Sequence, residues 1–163
     1  MSNRAPSLVA LVLAIGAASL ARAHCEIPCG IYDDEMRILA IQEDVLTVEK
    51  SMASIRELSA EAKPNWNQLV RWVTNKEEHA ERIQHVVTQY FLTQRIKLPK
   101  AGDEAARSAY LDQLATLHEL LVTAMKLKQT TDQASVDRAR ELVDAFAAQY
   151  FSPKDLKHLR SHG

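Results

Sequence analysis

The stretch DEMRILAIQEDVLTVEKSMASIRELSAEA, residues 34–62, decides the fold because its apolar residues recur at the spacing of one helical face. Steps of 3, 4, 3, 4 and 3 separate Ile38, Ile41, Val45, Val48, Met52 and Ile55. That pattern indicates an amphipathic helix of a bundle and not a strand. Asp33-Asp34-Glu35 places three acids at the start, where they complement the helix dipole. We predict a first helix over about 34–62, ended by Lys63-Pro64.

Three more segments show the same kind of periodicity. A second helix is predicted to begin at Pro64 or Asn65 and to fade near residues 95–97; its apolar stripe is Trp66, Leu69, Val73, Ala80, Ile83, Val87 and Tyr90. A loop at 98–102 leads to a third helix capped by Asp103, with the stripe Tyr110, Leu114, Leu117, Leu121 and Ala124. A polar break at 129–132 precedes a fourth helix, with the stripe Val136, Ala139, Val143, Phe146 and Tyr150.

The composition agrees with this helical reading. The 163 residues include only four glycines and five prolines, and 47% are hydrophobic, enough for one domain with a core. We predict an all-α fold: an antiparallel four-helix bundle over 33–151, preceded by an N-terminal metal-binding hook and followed by a short C-terminal helix or tail at 152–163. The formal net charge of −1 lacks the basic excess of nucleic-acid-binding proteins, so no nucleic-acid partner is expected.

The first 23 residues have the pattern of a secretory signal peptide. Arg4 precedes an uncharged, largely apolar run at 8–20, and Ala21-Arg22-Ala23 is a small-x-small cleavage signal. The alternative is a membrane anchor, but the run has about 13 residues and a membrane span needs roughly 20. We expect signal peptidase to cut after Ala23, giving an exported protein, periplasmic or secreted, that is not in the membrane after processing.

Cutting there would make residues 24–32, HCEIPCGIY, the new N-terminus, and this hook contains both cysteines of the chain. Two cysteines in an exported protein most often form a disulfide. A Cys25–Cys29 disulfide, however, would close a very small terminal loop and constrain little. A terminal His24 would add further nitrogen donors at the same place. The hook therefore favours a metal site, with the disulfide as the alternative.

The donors of a terminal His24 suit one group of metals. Its α-amine has a reference pKa near 8, so a metal displaces the proton easily. The amide nitrogen and thiolate of Cys25 and the thiolate of Cys29 complete a plane, and the His24 imidazole can approach from the axial direction. Such a set suits Ni(II) or Cu(II) better than tetrahedral Zn(II), and it favours one-electron chemistry over hydrolysis. Pro28 and Gly30 fit a tight loop around an ion.

The motif His-Cys-x-x-Pro-Cys-Gly-x-Tyr-Asp at 24–33 resembles the N-terminal nickel hook of nickel superoxide dismutases. The resemblance implies a four-helix bundle assembled as a homohexamer, with one nickel ion per subunit. It also implies an enzyme that converts superoxide into dioxygen and hydrogen peroxide through a Ni(III)/Ni(II) cycle.

The resemblance also implies roles for single residues. His24 would bind nickel through its amine and imidazole and take part in catalysis, Cys25 would bind through its amide nitrogen and sulfur, and Cys29 through its sulfur. Tyr32 matches the family's tyrosine beside the open face of the metal, where a phenol can hold water or a small anion. Residues that match the loop or the surroundings of the site are Pro28, Gly30 and Tyr90.

The chain departs from the best-known members at two positions. Those members hold the axial histidine with a glutamate on the first helix and an arginine on the second, and the nearest positions here are Leu39 and His79. Such partners tune a ligand's basicity and orientation, so this support is either rebuilt or absent.

Other polar and aromatic residues have simpler interpretations. His79, His85 and His118 are expected at the surface or the edge of the core rather than as ligands. Core or subunit interface is expected for Trp66, Trp72, Tyr110, Phe146 and Tyr150. Two other functions remain: an exported nickel or copper carrier without turnover, and a helical module with a Cys25–Cys29 disulfide.

Overall fold

The computed structural model describes residues 34–159, and their helices form an antiparallel bundle. Four of them are long: α1 (Asp34–Ser59), α2 (Trp66–His85), α3 (Glu104–Gln129) and α4 (Gln133–Tyr150). A π-helix, Val86–Arg95, continues α2, and a short α5, Pro153–Leu159, ends the described range. No strand occurs within 34–159. The all-α four-helix bundle predicted from the sequence is confirmed.

Each long helix packs against its two neighbours in a ring. Helix α1 contacts α2 and α4, and α3 contacts the same two helices from the opposite side. Short connections make consecutive helices antiparallel. The core between them includes the whole predicted stripe of α1 and most of that of α4, with Val136, Ala139, Val143 and Phe146 buried.

Side-chain caps begin three of these helices. Asn65 accepts a hydrogen bond from the Gln68 amide at 3.2 Å, and Asp103 accepts one from the Ala106 amide at 2.9 Å. These side chains satisfy backbone donors that have no partner inside the helix. Asp132 caps α4 in the same way, through the Ala134 amide at 3.2 Å. The starts predicted near residue 65 and at Asp103 are therefore confirmed.

Several details of the predicted helices were wrong. Helix α1 ends at Ser59 rather than near residue 62. On α2, Trp66 is 70% exposed and Val73 is 38% exposed, so the first turns of the predicted stripe do not enter the core of the chain. On α3 the buried face is rotated toward Leu120 and Leu127, because that helix packs between α2 and α4.

The π-helix is the largest difference from the predicted pattern, which was α-helical up to about residue 95. Its backbone bonds reach one residue further than those of an α-helix: the Ile96 amide donates to the Phe91 carbonyl at 2.9 Å. The hydroxyl of Thr93 likewise donates to the Thr88 carbonyl, five residues back, at 2.7 Å. Such segments are rare and frequently lie at functional sites.

Helix α5 closes the end of the bundle at which α1 begins. It contacts both α1 and α4, and Leu156 packs against the core. Ser152 accepts from the Asp155 amide at 3.4 Å and Pro153 takes the first helical position, as predicted. Within residues 34–159, no helix has the length and apolar character needed to cross a membrane.

Candidate metal centre

The described range begins directly after the predicted hook. Most residues predicted for the metal centre or its formation lie outside it: Ala23, His24, Cys25, Pro28, Cys29, Gly30 and Tyr32. Tyr90 is the one that the structure places. Asp34, the first residue of α1, follows the predicted hook by two residues, so its surroundings are the part of the described bundle that lies nearest to the hook along the chain.

Asp34 accepts hydrogen bonds from three side chains. The hydroxyl of Tyr90 donates to Oδ1 at 2.5 Å, and the hydroxyl of Tyr150 donates to Oδ2 at 2.7 Å. Arg95 donates to Oδ2 from Nη2 at 2.5 Å and from Nε at 3.1 Å. We call these four residues the Asp34 cluster. It links the start of α1 to the π-helix and to the last residue of α4.

The π-helix brings two of these partners to the same side. In an α-helix, residues five apart are separated by about 140° around the axis, so Tyr90 and Arg95 would point in different directions. Bonding from i to i+5 places residues five apart nearly above one another. Both side chains therefore reach Asp34. Tyr90 is 5% exposed, and its neighbour Phe91 is fully buried against the core.

The Asp34 cluster keeps a negative carboxylate next to two neutral phenols. Burial acts to raise the pKa of Asp34, but the hydrogen bonds from Tyr90, Tyr150 and Arg95 outweigh it, so the pKa lies below its usual value. Burial, together with the hydrogen bond to Asp34, raises the pKa of Tyr150 to about 12 and also raises that of Tyr90. At neutral pH the carboxylate is charged and both phenols keep their protons.

Aromatic rings and arginines surround these polar groups. The guanidinium carbon of Arg37 lies 4.9 Å from the ring centre of Tyr90, within the range of a cation–π interaction. The ring of Phe91 contacts that of Tyr150 edge-on, with centres 5.6 Å apart. An open recess of about 430 Å³ lies beside the cluster, lined by Asp34, Glu35, Tyr150, Phe151 and Asp155. The recess opens where the chain enters α1.

A second polar pair lies further along α1. His79 Nδ1 is 2.6 Å from Asp44 Oδ1, and both side chains are mostly buried. Burial raises the pKa of Asp44 despite the opposing effect of His79. Leu39, the other position singled out, packs against the core. The acid that pairs with His79 thus comes from position 44, ten residues and about 15 Å along the helix from Asp34.

The histidines on the helices lie where the sequence predicted, at the surface or at the edge of the core. His85 and His118 are both exposed, and His79 lies at the edge of the core. His79 and His85 border an open groove of about 690 Å³ between α1 and α2, together with Glu43, Asp44 and Arg82 among others. No group of three His, Cys, Asp or Glu side chains in residues 34–159 is arranged to hold a metal ion.

Comparison with known families decides the assignment. The sequence model of the family described as nickel-containing superoxide dismutase matches residues 19–154, which is most of the chain. The chain belongs to that family. Membership makes it a nickel-dependent superoxide dismutase, an oxidoreductase whose cofactor is nickel and whose substrate is superoxide. Neither the comparison with curated proteins nor the comparison with solved structures gave a match.

The donors of the hook fit the metal of this family. If processing frees His24, its terminal amine, the amide nitrogen of Cys25 and the thiolates of Cys25 and Cys29 would supply two nitrogen and two sulfur donors, and the His24 imidazole would supply a third nitrogen. Planar nitrogen and sulfur coordination is typical of nickel and copper sites and unsuited to zinc. His24, Cys25 and Cys29 are the residues that would hold nickel in this nickel superoxide dismutase.

Sequence reasoning missed most of the Asp34 cluster. It interpreted Asp34 as a helix-start acid, Tyr150 as core or interface, and Arg95 as the fading end of a helix. Tyr90 was named, but its partners were not. On an α-helical wheel, Tyr90 and Arg95 are about 140° apart, and Tyr150 lies 116 residues from Asp34. Neither spacing along the chain would have revealed the π-helix that brings these side chains together.

Proposed function

We propose that the processed chain dismutates superoxide at one nickel ion per subunit, held by the hook and cycling between Ni(III) and Ni(II). Family membership over residues 19–154 is the observation that carries the proposal. The donor chemistry of residues 24–29 supports it, because thiolates and a deprotonated amide stabilise the higher oxidation state. Two superoxide ions and two protons give one dioxygen and one hydrogen peroxide.

In this proposal nickel supplies the one-electron exchange, and the residues of the hook bind and orient. His24 would hold the metal through its amine and its imidazole. Cys25 and Cys29 provide the sulfur donors. Pro28, which has a fixed φ and no N–H, and Gly30, which allows a tight turn, shape the loop around the site.

Tyr32 is proposed to handle the small anion. Its phenol Oη can donate a hydrogen bond to superoxide or to water at the open face of the site. A neutral phenol holds an anion without adding a competing charge. The hydroxyl of Tyr90 donates to Asp34, which follows Tyr32 by two residues along the chain.

We also propose that export and maturation are one event. The cleavage signal at 21–23 stands directly before His24, so signal peptidase acting after Ala23 would both release the leader and create the metal-binding amine. Its product would be periplasmic or secreted. N-terminal sequencing of the protein from its native host tests this directly, with His24 as the expected first residue.

A homohexamer is the proposed assembly. The exposed face of α2 supports an interface, because Trp66, Val70 and Val73 recur at helical spacing and are 70%, 64% and 38% exposed. A contiguous apolar surface of this kind is typical of sites where proteins associate. Light scattering of the nickel-loaded protein should give six times the mass of the processed chain.

One added residue before His24 tests the proposed ligand set. The extension converts the amine into an amide, so we expect superoxide dismutation to be lost while the helical circular dichroism is unchanged. The matched control adds the same residue after Gly163. Full turnover in the N-terminally extended protein would contradict the ligand set. In the processed protein without the extension, nickel bound at His24 without turnover would support a carrier. A Cys25–Cys29 disulfide without metal in that protein would support the structural module.

A further inference from the structure

The Asp34 cluster lies close to the ligands along the chain. Cys29 precedes Asp34 by five residues, a stretch that spans at most about 18 Å when fully extended. Tyr32 precedes it by two. Asp34 is the first described residue after the hook, and its carboxylate ties it to the bundle.

We propose that Asp34 is a positioning residue, which fixes the junction of hook and bundle through Tyr90, Arg95 and Tyr150 and thereby orients the nickel ligands. This inference rests on the proposed function, since it concerns the same hook. It adds a residue that the motif at 24–33 does not include, and it assigns a role to the π-helix, which brings Tyr90 and Arg95 to Asp34.

The geometry of the Asp34 cluster supports this positioning role. Three side chains from two other elements converge on one carboxylate that is 14% exposed. Hydrogen bonds to a charged group are stronger than neutral ones and set direction as well as distance. Because the donors come from the π-helix and the end of α4, the first residue of α1 is fixed relative to both.

The hook needs such support because only one of its ends is joined to the chain. After processing, His24 is a free terminus, and the path of the loop depends on the turn at Pro28 and on the junction at Asp34. A loose junction would leave Cys29 and Tyr32 free to move relative to the bundle. Ligand orientation set by surrounding hydrogen bonds commonly changes metal affinity by about 10- to 100-fold.

Helix α1 offers a matched control for the loss of a carboxylate. Glu49 also accepts from another helix: from Gln133 Nε2 at 2.7 Å and from Arg140 Nη1 at 3.2 Å, both on α4. It lies 15 residues from Asp34, about 22 Å along the helix. Replacing Glu49 removes a comparable ion pair without touching the junction.

The test compares Asp34→Asn with Glu49→Gln in the processed, nickel-loaded protein. Nickel release to an excess of chelator is followed, together with the electron paramagnetic resonance spectrum of the oxidised metal. We expect release about 10-fold faster and an altered spectrum for Asp34→Asn. Glu49→Gln is expected to keep the wild-type rate and spectrum. Asp34→Glu, which retains the charge, should restore part of the difference.

The positioning role of Asp34 would be overturned if wild type, Asp34→Asn and Glu49→Gln released nickel at equal rates and gave identical spectra. That result would leave the proposed function intact. A wild-type protein that binds no nickel would overturn both. If Asp34→Asn does not fold, Tyr150→Phe serves instead, since it removes the hydroxyl that donates to Asp34 at 2.7 Å and accepts from Arg95 Nε at 3.3 Å, and it keeps the aromatic ring. If Tyr150→Phe then releases nickel at the wild-type rate and gives the wild-type spectrum, the positioning role is overturned.

Discussion

Two aspartates on α1 show how local surroundings set opposite electrostatic behaviour. The pKa of Asp34 is lowered, because three donors outweigh its burial, whereas the pKa of Asp44 is raised, because burial outweighs its single pair with His79. By linkage, ionised Asp34 stabilises the fold and ionised Asp44 opposes it.

This difference predicts opposite pH dependences. Stabilisation by Asp34 is present above the pKa of the unfolded state, about 4, and is lost as the pH falls through the lower folded-state pKa. We expect Asp34→Asn to cost about 2 kcal/mol of unfolding free energy at pH 7 and almost nothing at the acid end. Urea denaturation at a series of pH values measures the difference.

The control in that series is Asp44→Asn. Its carboxyl favours folding when protonated, so the wild-type advantage is lost as the pH rises through the raised folded-state pKa. Wild type minus Asp44→Asn should therefore change with the opposite sign. Parallel pH profiles for the two variants would refute the electrostatic assignment of both residues.

Tyr32 gives a prediction about the reaction itself. Because Tyr32 is proposed to hold the anion and not the metal, Tyr32→Phe should retain nickel at the wild-type level. The inhibition of the Tyr32→Phe enzyme by small anions, or the sensitivity of that enzyme to peroxide, should change. Metal analysis and inhibition assays on the same preparation separate these effects, and loss of nickel in Tyr32→Phe would show that its role has been misassigned.

At the scale of elements, the α-helical period of the sequence predicted α1 and α4 well and α2 poorly. The stripe from Ile38 to Ile55 is buried throughout, because α1 faces both of its neighbours with one side. Trp66 is hydrophobic and in register, yet it is exposed, since the start of α2 extends beyond the packed core. The spacing of hydrophobic residues predicts which of them can be buried. Whether a residue is buried depends on whether another helix packs against that part of its helix.

The π-helix shows a second limit of local reasoning. Its bonding register is favoured by tertiary contacts, the burial of Phe91 and the reach of Tyr90 and Arg95 to Asp34, which a search for 3.6-residue periodicity does not detect. The proposed metal ligands are a different case, because they form a contiguous motif that is visible in the sequence before any fold is known. Their assignment stays a prediction, since residues 24–33 lie outside the described range.

The end of α3 depends on a buried lysine of α2. Lys76 is 4% exposed, and its ammonium donates to the carbonyl oxygens of Leu127 at 2.8 Å, Lys128, and Thr130 at 3.4 Å. These are carbonyls at the C-terminus of α3, where partners inside the helix are lacking.

We expect Lys76→Met to lower the free energy of unfolding by about 1–3 kcal/mol, because buried carbonyl groups would lose a charged donor. Lys50→Met, at an exposed position of α1, is the matched control and should change it by less than about 0.5 kcal/mol. Chemical denaturation measures both. An equal effect of the two substitutions would show that Lys76 does not stabilise the end of α3.

At the scale of the whole molecule, the hook and the bundle are expected to fail separately. The thiolates of Cys25 and Cys29, as proposed ligands, would meet the peroxide that the proposed reaction produces, and thiolates oxidise stepwise. Excess hydrogen peroxide should therefore inactivate the enzyme gradually and release nickel, while circular dichroism shows an unchanged bundle. Unfolding of the helices in step with inactivation would contradict this division.

Mass spectrometry of the protein from its native host tests the central claim most directly, under native conditions and again after reduction and denaturation. The account predicts a chain that begins at His24, carries one nickel ion per subunit and has both cysteines as thiols once the metal is removed. A chain that begins elsewhere, or one that lacks metal and is two hydrogen atoms lighter before reduction, would contradict it.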